Sequence, residues 1–356
     1  MSIRTGVVGL RRGQGLLAVL AHHPAAEVVG VCDPDADLLK AQAEAFQVPF
    51  RTRDFEVLLE WDLDLVVLAT PAPLHAAQAC AALEAGKHVL SEVPAVWTLA
   101  EGEQLARTVE RTGRKYMMAE NVNWFPRTLA WKRIIEEGKL GTIFYAEAEY
   151  IHNCHGLMRN PDGRPTWRAF MPPIQYCTHS LGPLLAWTGD RCVSVCGRHT
   201  GCHLLPEWGT LDMEVGIMQT RSGAVFKVLC GFSLQREPAM HYYCLYGTAG
   251  MLESGRAEGL PDRGYFANDP ASYGPAPLQL PPVERAAPPA AALGGHGDSE
   301  WFMIHDFLEC ILQDTPEPLD VYASLDMTLP GICAHLSAEQ GGTPVEVPDF
   351  RPASQG

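Results

Sequence analysis

Short apolar runs and longer stretches of helical spacing alternate through the first third of the chain. Gly6-Val7-Val8-Gly9-Leu10, Val28-Val29-Gly30-Val31-Cys32, Leu63 to Ala69 and His88-Val89-Leu90 read as buried strands, with shorter ones near Val48 to Arg51 and Lys115 to Met118. Helices are predicted after Gly15, over Ala36 to Phe46, before Trp61, over Pro73 to Ala85 and over Leu99 to Thr112. This order predicts a parallel sheet with crossover helices. After Asn121 the texture changes. A helix from Pro126 to Glu137 leads into longer strands over Thr142 to His152, Cys192 to His199, Leu211 to Gln219, Ala224 to Leu234 and His241 to Tyr246. Tight turns such as Arg221-Ser222-Gly223 between strands indicate antiparallel hairpins. Gly255 to Gly295 is rich in Pro, Ala and Gly and reads as a long irregular surface excursion. Helices over Ser299 to Gln313 and Val321 to Gln340 close the chain.

The chain of 356 residues suits two domains, at roughly 150 residues each. We expect an α/β domain over residues 1–122 and an α+β domain over 123–356, the second a mostly antiparallel open sheet covered by helices. A formal net charge of −15 argues against nucleic acid or an anionic membrane surface as partner. No apolar run approaches the roughly 20 residues that span a bilayer. Met1-Ser2-Ile3-Arg4-Thr5 leads into a strand without a signal peptide, so the eleven cysteines read as reduced thiols of a cytoplasmic protein. His152, Cys154 and His155, with Cys192, Cys196, Cys202 and His203, lack paired C-x-x-C spacing, and no metal is expected.

Composition leaves the chemistry open; the stretch from Gly6 to Asp33 does not. A strand, a small-residue turn, a helix, a second strand and an acid form a dinucleotide-binding unit, the first turn of a Rossmann, doubly wound sheet. A pyrophosphate sits at the helix start, where backbone amides and the positive dipole end converge. Gly9, Leu10, Arg11, Arg12 and Gly13 are the candidate cradle. A strict G-x-G-x-x-G from Gly9 would need glycines at positions 11 and 14, where Arg11 and Gln14 stand; Arg11 and Arg12 are expected in a basic turn, neutralising the diphosphate. Asp33 is placed for the adenosine ribose hydroxyls and favours NAD over NADP, since its charge would repel a 2′-phosphate.

Further signatures run in order along the chain: Thr70-Pro71 followed by His75, Gly86-Lys87-His88-Val89-Leu90-Ser91-Glu92-Val93-Pro94, Gly138-Lys139-Leu140-Gly141, and Pro316 to Asp320 leading into a helix ending at Ser337-Ala338. Together they resemble the glucose-fructose oxidoreductase/inositol dehydrogenase (Gfo/Idh/MocA) family. The resemblance implies a nicotinamide-binding domain followed by a substrate domain on a large open sheet, through which dimers or tetramers assemble. It implies cofactor contacts at Thr70, Pro71, His75, Glu92 and Asn121. The family commonly has Glu-Lys-Pro where this chain has Glu92-Val93-Pro94, and valine cannot assist loss of a carbinol proton as lysine can. With Ala148 to His152 and Tyr176 to Pro183, this variant resembles a branch that includes NAD-dependent α-N-acetylgalactosaminidases. Those enzymes oxidise a sugar carbinol, eliminate the glycosidic bond, add water and return the hydride. Asn153 stands where the branch typically has aspartate.

Hydride transfer needs a base near neutral pKa within reach of the substrate hydroxyl. The resemblance places His179 there, at the start of a helix, with Tyr176 as a phenol partner and Gln175 where many relatives carry an orienting aspartate. His152, at the end of a long strand, is a second acid–base candidate. His296, flanked by Gly295 and Gly297, is expected on the substrate side, and Tyr150, Trp167 and Trp124 as a sugar-stacking wall. The expected activity is hydride transfer from a sugar, cyclitol or glycoside hydroxyl to NAD. The alternatives are redox-neutral glycoside cleavage and, from another class, a non-catalytic NAD sensor.

Overall fold

The structure is a computed structural model that describes residues 2–257, 259–270, 273–283 and 285–352. It packs into two compact units, one comprising residues 2–124, 285–325 and 349–352, the other 125–283 and 326–348.

The first unit holds a six-stranded sheet in the order β3-β2-β1-β4-β5-β6. Its strands are β1 (Ile3–Val8), β2 (Ala26–Cys32), β3 (Phe50–Thr52), β4 (Leu65–Leu68), β5 (His88–Ser91) and β6 (Tyr116–Met118). All neighbouring pairs are parallel. The order reverses between β1 and β4, and ligands of open α/β sheets bind outside the strand ends at such a point. The crossover helices are α1 (Leu10–His22), α2 (Ala36–Ala45), α3 (Phe55–Leu59), α4 (His75–Glu84) and α5 (Leu99–Thr112). A Thr98/Glu101 capping box starts α5 and Gly113, at φ 63°, ends it.

One local expectation is corrected here. Arg11 to Gly15 is not a basic turn but the first part of α1, and Gly9 makes the turn alone at φ 85°. The glycines at 13 and 15 serve packing. A Cβ on Gly13 would lie 3.1 Å from the Ala69 Cβ, and one on Gly15 would lie 3.0 Å from the Gly295 amide nitrogen.

The second unit carries a nine-stranded sheet, β14-β13-β12-β11-β7-β10-β9-β8-β15. In chain order these are β7 (Ile143–Ile151), β8 (Cys192–His199), β9 (Met213–Thr220), β10 (Val225–Gly231), β11 (Met240–Gly247), β12 (Gly250–Glu253), β13 (Arg263–Phe266), β14 (Ala276–Pro277) and β15 (Val345–Glu346). Every pairing is antiparallel except β7 with β10. Three helices of this unit are α6 (Pro126–Glu136), α7 (His155–Met158) and α8 (Thr178–Thr188). Ala146, Ala148, Phe226, Val228, Met218 and Leu245 form the covered face, all fully buried. The expected excursion from Gly255 is partly sheet: β13 and β14 extend one edge by pairing with β12 and with each other. Runs of four and two residues carry too little alternation to be legible without those partners. Glu258, Ala271, Ser272 and Glu284 of that stretch lie outside the described residues.

The chain then returns to the first unit, so the units do not follow one division at residue 122. Helix α9 (Asp298–Gln313) sets Trp301, Met303, Ile304, Phe307 and Leu308 into the same core as Leu10, Leu16, Leu17 and Leu20 of α1. Helix α10 (Val321–Glu339) begins in the first unit and continues from Asp326 in the second. Among the described residues no helix is long and apolar enough to cross a membrane. The cysteines are free thiols, buried except Cys196 and Cys202.

Candidate functional site

In the first unit the expected cofactor residues gather at the ends of β1, β2, β4 and β5. A Cβ on Gly9 would stand 2.6 Å from the Ala69 carbonyl oxygen, so the chain passes the β4 end with no room for a side chain. The Gly13 amide donates to the Gly9 carbonyl at 3.0 Å and closes the first turn of α1, whose leading amides have no acceptor within the helix. Asp33 is buried, its Oδ2 accepting from the Leu10 amide at 2.7 Å and its Oδ1 from the Asp35 amide at 2.9 Å. It therefore holds the α1 start to the β2 end. Asp35 caps α2 through the Asp37 and Leu38 amides and pairs with exposed Arg11 at 3.4 Å.

Thr70 donates to Gln78 at 2.6 Å, ahead of Pro71. His75 is buried, its ring nitrogens 2.8 Å from the Pro94 and Thr70 carbonyls, so it braces the two strand-end turns against each other. Asn121 is buried, and its Nδ2 has no partner among the described residues. A helix start whose leading amides lack helical acceptors, a carbonyl edge that excludes any side chain and a buried amide donor are what a dinucleotide requires, and the residues fit one.

Arg12 pairs with two carboxylates. Its Nη2 lies 2.8 Å from Glu92 Oε1 and 2.6 Å from Glu300 Oε1, and Glu300 also meets His296 Nδ1 at 2.8 Å and the Gly295 amide at 2.6 Å. Burial alone would raise the Glu300 carboxyl, but the His296 bond and the Arg12 charge outweigh it and hold the group down at about 2. Trp124, expected as a stacking wall, is instead a core residue whose Nε1 donates to Asp306 at 2.7 Å.

In the second unit Tyr150, His152, Tyr176 and His179 come together. Tyr150, near the end of β7, shares its 3.0 Å hydroxyl bond with His152 Nδ1. Its ring meets His179 edge-on at 5.2 Å, Tyr176 at 6.2 Å and Phe232 at 5.2 Å. Tyr176 meets His179 edge-on at 5.2 Å. Burial keeps the Tyr150 phenol well above its ordinary pKa, so it acts as a proton-bearing hydroxyl. Tyr243 donates to the His179 carbonyl at 2.6 Å and fixes the α8 start. Gln175 is buried, with its Oε1 lacking a partner among the described residues, and Trp167 carries the Arg168 guanidinium over its ring at 4.4 Å.

His241 was not expected at all. It pairs with Tyr150 across β7 and β11, and the two rings stack at 4.4 Å and 8°. Only the register puts it there. Glu214, on β9, was missed as well. It is buried and accepts the Ile174 amide at 3.1 Å and His335 Nδ1 at 2.9 Å. Burial works against a charged His335, but the Glu214 bond prevails and raises its pKa. Ile174 lies in the short turn Pro173–Tyr176 that carries Tyr176 and leads to His179, so this carboxylate anchors the segment.

A phenol bonded to one imidazole beside two more, in an aromatic cage, can recognise hydroxyls and move protons between them. Joined in one chain with a dinucleotide cradle, such a site defines the class of nicotinamide-dependent oxidoreductases. Residues 3–120 match the model of an oxidoreductase family with an NAD-binding Rossmann fold, Gfo/Idh/MocA, and residues 282–354 match the C-terminal domain of glycosyl hydrolase 109. The first third of the chain is thus similar to the Gfo/Idh/MocA oxidoreductases. A glycosyl hydrolase family 109 protein of Streptomyces niveus is 28% identical, covering 98% of this chain and 77% of the relative. One from Akkermansia muciniphila is 27% identical over 98% of this chain and 82% of its own length. Among solved structures, an oxidoreductase domain protein from Kribbella flavida (TM-score 0.83, 21% identity) and a levoglucosan dehydrogenase in complex with NADH and levoglucosan (TM-score 0.81, 20%) each cover 98% of this chain and match along their whole length. These two show the shared fold.

Proposed function

We propose that this protein cleaves a glycoside through a redox-neutral cycle on NAD. A sugar hydroxyl is oxidised, the glycosidic bond eliminated, water added and the carbonyl reduced again. The observation that carries the reading is the Tyr150, His152, Tyr176 and His179 cluster in a chain whose other unit is NAD-binding. The cycle is favoured over net dehydrogenation by the glycosyl hydrolase 109 match and by Val93 in place of a lysine.

Bound NAD supplies the hydride acceptor and donor. His179 takes the proton of the hydroxyl being oxidised, with Tyr176 at its edge. Oxidation makes the neighbouring C–H acidic, and its proton passes to a base of the same cluster. His152, bonded to Tyr150, gives the leaving oxygen its proton. Gln175 and Trp167 bind the ring. On the cofactor side Gly9, Leu10, Arg11 and Gly13 face the diphosphate, Asp33 the ribose, and Thr70, Pro71, Glu92 and Asn121 the nicotinamide half. Two carboxylates after β2, Asp33 and Asp35, support NAD over NADP. Exposed Ile217 and Tyr246 on the sheet support self-association into a dimer or tetramer, and the free thiols suit a reducing cytoplasm.

The test combines native mass spectrometry, to detect copurified NAD, with aryl glycosides followed for both cleavage and free NADH. Cleavage without net NADH is expected. Accumulating NADH would leave a dehydrogenase, and NAD binding without turnover of any sugar would leave a sensor.

A further inference from the structure

His296, flanked by Gly295 and Gly297, was expected on the substrate side; the structure fastens this loop to α1. Glu300, fully buried in the first turn of α9, accepts the Gly295 amide at 2.6 Å, the Arg12 guanidinium at 2.6 Å and His296 Nδ1 at 2.8 Å. Gly295 lies so close to α1 that a Cβ on Gly15 would stand 3.0 Å from its nitrogen. Through Glu300 and Gly295, His296 is therefore held beside the first two turns of α1, the helix whose start is where the diphosphate belongs. Its Nδ1 is held by Glu300, which turns Nε2 outward from the pair, and the side chain remains 46% exposed.

The charges point the same way. Arg12 is bracketed by Glu92 and Glu300, so the guanidinium expected to neutralise the diphosphate is already matched by two carboxylates. Those three groups sum to one negative charge, which opposes an anion. A donor or cation is needed at that position, and His296 is the remaining group of the cluster. We propose that His296 is a cofactor-binding residue, gripping the diphosphate and adjoining ribose of the dinucleotide, with Glu300 as its positioning residue. This rests on the NAD reading above and assigns the loop to the cofactor, not the sugar.

The test is calorimetry on the whole chain, freed of bound nucleotide, with NAD, ADP-ribose and adenosine. His296→Gln and His296→Ala are expected to raise the dissociation constants of NAD and ADP-ribose about tenfold or more, as loss of one charge-assisted bond does, and to leave adenosine unchanged. Glu300→Gln, isosteric and still bonded to Gly295, is expected to give an intermediate loss. Unchanged NAD affinity in both His296 variants overturns the proposal, as does an equal loss for adenosine. A wild-type chain that binds no NAD overturns the underlying reading instead.

Discussion

Replacing Glu214 by alanine removes the contact that anchors the Tyr176 and His179 segment and the pair with His335. The side chain is 1% exposed, so no solvent takes over its role. Leaving the buried Ile174 amide without an acceptor costs about 1–3 kcal/mol. Breaking a buried charge pair by deleting one partner costs about 3–5 kcal/mol, but His335 is 21% exposed and can release its proton, which moves that contribution to the low end. Together they predict about 4 kcal/mol, a fall of about 10 °C in the melting temperature. Glu214→Gln keeps an acceptor for Ile174 and should lose only about 1–2 kcal/mol. The pH dependence has a definite sign. Because the folded pKa of His335 is raised, its pair stabilises fully below the ordinary histidine value of about 6.5 and is lost as pH climbs through the folded value. The gap between wild type and His335→Gln should therefore narrow from pH 6 to pH 9. Scanning calorimetry reads the stability, and hydrogen exchange of the peptide over residues 173–181 reads the local loosening. A Glu214→Ala chain melting within about 2 °C of wild type, with that peptide unchanged, would refute the anchoring argument.

Gly9→Ala places a Cβ against the Ala69 carbonyl at a positive φ, so NAD copurification in native mass spectra should disappear; full retention would contradict the cradle. Tyr150→Phe keeps the stack on His241 but removes the bond to His152, and should lower turnover on an identified glycoside about 10²-fold or more at a stability cost of about 1 kcal/mol. His179→Ala should lose about 10²–10⁴-fold in turnover with its fold intact by circular dichroism, and activity near wild type would remove it as the base. The depressed pKa of Glu300 means that its pairing stabilises above the ordinary carboxylate range and is lost as pH falls from about 4.5 toward 2. Glu300→Gln should thus be about 3 kcal/mol less stable than wild type at pH 7, a difference that closes near pH 2 in acid titration.

The βαβ order of the first unit was legible because each strand is a short apolar run and each helix an amphipathic stretch, signals that neighbouring residues carry among themselves. The antiparallel texture beyond Asn121 was legible from turns such as Arg221-Ser222-Gly223 for the same reason. Gly13 and Gly15 misled, since a glycine needed for close packing looks in sequence like a glycine needed for a turn. Of the candidate site, His179 and Tyr176 were singled out by the family resemblance and His152 and Tyr150 by their place at the end of a long strand, and the structure brings the four together. His241 and Glu214 gave no such sign.

By itself, then, the sequence determined the two kinds of sheet, the dinucleotide turn after β1 and four residues of the aromatic and histidine cluster. Only tertiary structure decided that Arg12 answers two carboxylates, that His241 stacks on Tyr150, and that α9 returns to the first core. The physical reason is distance along the chain. Secondary structure follows from side chains three or four positions apart, whereas Arg12 and Glu300, or Tyr150 and His241, meet only once packing and strand register have been settled by every other residue of the unit.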